Sequence, residues 1–71
     1  MTGPEFTALI ERTGWTVRAV ADVFGVSHGL IGDMRSGRRP VHPEIAGYLQ
    51  RVVAAVERIP VPELRKWERR N

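Results

Sequence analysis

Between Ser27 and Arg39 the chain reads SHGLIGDMRSGRR, a stretch holding an imidazole, a carboxylate and three guanidinium groups. None of these is spaced for bond-breaking chemistry. The chain has no nucleophile beside a base, no phosphate-cradling glycine loop and no paired acids, so an enzyme is not expected. What these side chains can do is recognise charge and hydrogen-bonding edges. The planar fork of Arg35, Arg38 and Arg39 suits phosphate or guanine. His28 can donate to guanine N7 or O6 or to phosphate, and Asp33 can accept from cytosine N4. The same stretch carries Gly29 and Gly32, although glycine inside a helix costs roughly 1 kcal/mol relative to alanine.

The elements that must hold these groups are marked by helix start and stop signals. Thr2 with Glu5 three residues on has capping-box spacing. Phe6, Leu9, Ile10 and Thr13 then fall at helical intervals up to Gly14. Thr16 opens a second helix whose apolar face is Val17, Val20, Ala21 and Phe24, and Gly25 closes it. Ser27 opens a third helix about three residues after the second ends, and Gly37 closes that one. Pro40 keeps Arg38 and Arg39 in a connector. His42 is expected as the N-cap before Pro43, the first residue of a fourth helix with Glu44 at its positive end. Ile45, Leu49, Val52, Val56 and Ile59 form its apolar stripe, which is either core or in part a seam between two copies. Pro60 stops it, and Pro62 starts a short fifth helix carrying Leu64 and Trp67. Trp15 is expected in the core. No strand signal competes.

Length and composition narrow the class further. The chain has 71 residues and no cysteine, so one domain at most is expected, without disulfides or thiolate metal sites. His28 and His42 lie far apart with no carboxylate cluster, so neither a metal nor a cofactor is expected. No apolar run approaches a membrane span, and the N-terminus lacks a signal-peptide pattern, which predicts a cytoplasmic protein. So short a chain is also expected to leave no room for a pocket, and no small-molecule ligand is expected. Eleven basic residues against eight acidic ones give a net charge of +3. All the basic residues except Lys66 are arginine. The fold class expected is all-α, a compact four- to five-helix bundle containing a helix-turn-helix. Residues 1–59 form the domain, and residues 60–71 form a short C-terminal helix.

Two short helices joined by a Gly-containing turn, with Ala21 at the crossing and Val20, Phe24, Val26, Ile31 and Met34 as anchors, is the arrangement of a DNA-reading helix-turn-helix. The segment Trp15 to Pro40, WTVRAVADVFGVSHGLIGDMRSGRRP, resembles that of the lambda-repressor/Cro-like transcriptional regulators. The shared features are a Thr opening the second helix, the A…GVS join, an Ile inside the third helix and a Gly-Arg-Arg-Pro tail. The TGPEF opening and the length resemble small phage- and prophage-type members, including anti-CRISPR-associated repressors. Val17 stands where the family often carries a glutamine.

With Ile31 and Met34 turned inward, Ser27, His28, Gly29, Gly32, Asp33 and Ser36 are left on the outer face of the third helix. The resemblance implies that this face enters the major groove of double-stranded DNA and reads bases. Gly29 and Gly32 are then bare spots that allow close approach, or else tolerated surface positions. Thr16, Arg18, Arg35, Arg38 and Arg39 are the phosphate-binding candidates, with Arg35 pointing either to DNA or back to an acid such as Asp22. Val56, Ile59, Leu64 and Trp67 are the dimerisation candidates, Trp67 because so small a domain has little spare core for it. The RKWERR tail could instead touch DNA. The function implied is a homodimeric repressor on an inverted-repeat operator. The alternative is an antitoxin or other protein-interaction module that uses the C-terminal part.

Overall fold

The computed structural model describes residues 1–62 and residue 64. Its elements run α1 (Gly3–Thr13), α2 (Val17–Phe24), α3 (His28–Ser36) and α4 (Pro43–Glu57), with no strand among the described residues. Of the segment expected as a fifth helix, residues 60–62 and 64 are described and carry no helix, with Leu64 exposed; the rest, with Trp67, lies outside the described residues.

Each helix begins at the capping residue expected of it. The Glu5 N–H donates to Thr2 Oγ1 at 3.2 Å, and the Thr2 N–H donates to Glu5 Oε1 at 3.0 Å, closing the capping box. Hydrogen bonding of the Glu5 carboxyl by the Thr2 backbone N–H, and after it by the Thr2 side chain, holds that carboxyl below its usual range. The cap therefore acts fully above the ordinary carboxylate value and is lost as pH falls through the lowered one. Thr16 accepts from the Ala19 N–H and Ser27 from the Leu30 N–H, at 3.0 and 3.1 Å. His42 accepts from the Glu44 N–H through Nδ1 at 3.2 Å. The turn between α2 and α3 is a Schellman closure. Gly25 adopts φ 66°, open to glycine at little cost, and the Val26 N–H reaches the Ala21 carbonyl at 3.0 Å.

The core is drawn from all four helices: Phe6, Leu9 and Ile10; Val20 and Ala21; Ile31 and Met34; Ile45, Leu49 and Val53. Helix α1 packs on both α3 and α4, and α2 packs on α3. Ala21 is fully buried on α2, the small residue that close helix approach requires. Thr13 is buried but satisfied. Its hydroxyl donates to the Ile10 carbonyl at 2.6 Å and accepts from the Trp15 N–H at 3.0 Å.

Two expectations are corrected. Trp15 is half-buried at the margin of the core rather than within it. The stripe of α4 departs from its expected course after Leu49: Val53 is buried, Val52 only half-buried, and Val56 and Ile59 are 44% and 70% exposed. Helix α1 lies against the Val53 flank, where Arg12 pairs with Glu57 at 2.9 Å. Ile59 lies beyond α4, which ends at Glu57, two residues short of the expected stripe. Gly3, on which the sequence carries no expectation, is buried. A Cβ there would overlap the Arg35 carbonyl oxygen, so glycine lets the start of α1 meet the last turn of α3.

Candidate nucleic-acid interface

Helix α3 positions the candidate readers by what it buries. Ile31 and Met34 are fully or almost fully buried. Because successive residues turn by about 100°, the opposite side is left outward. Ser27, His28, Gly29 and Ser36 are exposed, and Gly32 and Asp33 are half-exposed. A Cβ at Gly32 would meet nothing within 4 Å, and one at Gly29 only Ser27 Oγ at 3.9 Å. Neither glycine is required by internal packing, in contrast to Gly3. Ser27, Gly29, Leu30, Asp33 and Arg39 line one open depression of about 420 Å³ on this face. Four of those five were expected as site residues; Leu30 was not.

The polar groups are partly engaged. Ser36 donates its hydroxyl proton to the Asp33 carbonyl at 3.2 Å, and Ser27 Oγ is occupied as the helix cap. Asp33 Oδ1 lies 3.8 Å from Arg38 Nη1, and Oδ2 lies 3.9 Å from Arg39 Nε. His28, at the first position of α3, has its side chain at the surface.

The phosphate candidates divide. Arg38 and Arg39 follow Gly37, whose φ of 84° turns the chain out of α3. Both are exposed beside the outer face of α3. Arg18 is exposed in the first turn of α2, behind the Thr16 cap, where backbone N–H groups lack helical partners. Arg35 behaves differently. Its Nε donates to Thr7 Oγ1 on α1 at 3.4 Å, so it turns to α1 rather than to Asp22. Thr7 in turn donates to the Gly3 carbonyl at 3.0 Å.

The expectation of no room for a pocket is overturned. An open groove of about 790 Å³ lies between the end of α2, α3 and the start of α4. The connector between α3 and α4 has no helix of its own, and it spans this space without filling it. Phe24 and Tyr48 meet edge to face across the groove, ring centroids 5.4 Å apart. At its margin the His42 N–H donates to Met34 Sδ at 3.4 Å. No sequence motif announced the groove, since it arises from where three helices and a connector diverge.

Among the described residues, no group of three or more His, Asp or Glu side chains could hold a metal ion. No buried side-chain nitrogen or oxygen there lacks a partner. No helix there is long and apolar enough to cross a membrane. Comparisons of the chain with protein-family models, with curated proteins and with solved structures find no match in any of the three.

Proposed function

We propose that this chain is a sequence-specific DNA-binding transcriptional regulator, acting as a homodimeric repressor through a helix-turn-helix made of α2 and α3. The observation that carries this reading is the outer face of α3. It is bare at Gly29 and Gly32 with no packing reason to be so, and bordered by Arg38 and Arg39. A helix with a shallow, side-chain-poor surface can approach base edges closely, while flanking arginines grip the backbone. His28 and Asp33 supply hydrogen-bonding groups of opposite sense beside the glycines. Two copies would set their α3 helices into successive major grooves about 34 Å apart, which calls for an inverted repeat.

The experiment is selection of bound duplexes from a random library. A palindromic winner with half-sites about one helical turn apart is expected; failure to enrich any sequence would sink the reading. A second reading is favoured by one observation, the apolar flank of α4 at Val52 and Val56, with Ile59 just beyond the helix. A protein partner such as a toxin could cover it, with DNA binding retained or lost. A toxin gene beside the protein's own would favour this second reading, and a mobility shift on the upstream duplex shows whether DNA binding is retained.

A further inference from the structure

Asp33 is the one residue to which the whole Gly37–Arg39 segment is tied. Its carbonyl accepts the N–H of Gly37, of Arg38 at 2.9 Å and of Arg39 at 3.2 Å, and the Ser36 hydroxyl besides. Its carboxylate faces the two guanidinium groups that this segment carries, at 3.8 and 3.9 Å. The backbone bonds hold the arginines next to the reading face. The carboxylate offsets their charge there.

From this geometry we infer that Asp33 is a positioning and specificity-determining residue, which masks Arg38 and Arg39 until a phosphate displaces it. The ion pairs are long, and the arginine side chains are 80% and 65% exposed, so solvent screens them and each is weak. They are exchangeable for phosphate. When phosphates take the arginines, the carboxylate is left against the duplex. A cytosine N4 donor in reach compensates it, whereas a sequence without such a donor leaves a bare negative charge among phosphates. Asp33 thus weakens binding to arbitrary DNA more than binding to the operator. This inference deepens the DNA-binding reading and rests on it.

Asp33→Asn keeps the size and the backbone carbonyl while removing the charge. Its affinity for random duplex should rise roughly three- to tenfold, with a steeper dependence on salt. The ratio of operator to random affinity should fall. The gain should shrink when Arg38→Ala and Arg39→Ala are also present, leaving only the part that comes from the carboxylate's own repulsion by phosphate. Unchanged random-duplex affinity would overturn the inference. So would a gain of the same size without the arginines, because the carboxylate would then be masking neither of them. A native protein that binds no duplex would instead overturn the DNA-binding reading. In that case elution from a heparin column still decides the masking: later elution of Asp33→Asn supports it, and identical elution refutes it.

Discussion

A Cβ added at Gly32 would enter open space, whereas one added at Gly3 would run into the Arg35 carbonyl oxygen. The two substitutions by alanine should therefore move stability in opposite directions. Gly3→Ala forces apart two pieces of backbone that cannot rotate away, and should cost about 1–3 kcal/mol, as other overpacking does. Gly32→Ala should gain up to about 1 kcal/mol from helix propensity. In a domain of this size that raises the melting temperature by roughly 4–8 °C. If the bare surface serves docking, the stabilised Gly32→Ala protein should bind its selected duplex at least tenfold more weakly. Calorimetry and a binding titration on the same preparation check both halves. Stabilisation with unchanged affinity would mean that Gly32 is a tolerated surface position.

At the scale of elements, legibility in the sequence follows the range of the interaction. Thr2, Thr16, Ser27 and His42 were readable as caps because a cap bonds within two or three residues of itself. Gly25 and Gly37 were readable as stops because a left-handed residue closes a helix locally. The reading face of α3 followed from the inward pair Ile31 and Met34 alone. What could not be read depends on where other helices lie. Nothing local distinguishes Val53 from Val56; the position of α1 decides which is covered, and it covers Val53. Gly3 was invisible for the same reason, since its neighbour in space is more than thirty positions away in the chain. The uncovered flank of α4 carries its own consequence. Val56, at 44% exposure, contributes little to the core, so Val56→Asp should change monomer stability by no more than about 0.5 kcal/mol. If Val52, Val56 and Ile59 form the seam between copies, the same change should abolish the dimer and lower operator affinity. Sedimentation measures the first and a titration the second. A dimer that survives would move the interface elsewhere.

Across the whole molecule the charge excess is only +3, too small to hold a polyanion by itself. On the proposed function, affinity for DNA would come from where the arginines stand. Arg38 and Arg39 are fixed beside α3 by backbone hydrogen bonds to Asp33, while Arg35 is turned to α1 and Arg18 starts α2. Each phosphate contact adds about 0.9 to the slope of log affinity against log salt. Replacing Arg38 and Arg39 together by alanine should thus reduce the slope by up to about 1.8. Masking by Asp33 keeps the reduction below that ceiling, because a guanidinium already facing a carboxylate exchanges fewer counterions. Arg35→Ala should leave the slope nearly unchanged, since its Nε is engaged on α1. The double arginine change should weaken every duplex alike, because phosphates carry no sequence. His28→Ala should do the converse, altering the preferred bases while sparing the slope. Titrations on operator and random duplex over a salt series measure all three. Equal slopes for the native protein and the double arginine variant would show that these side chains never meet phosphate. The basic contribution would then have to come from Arg18 and the start of α2.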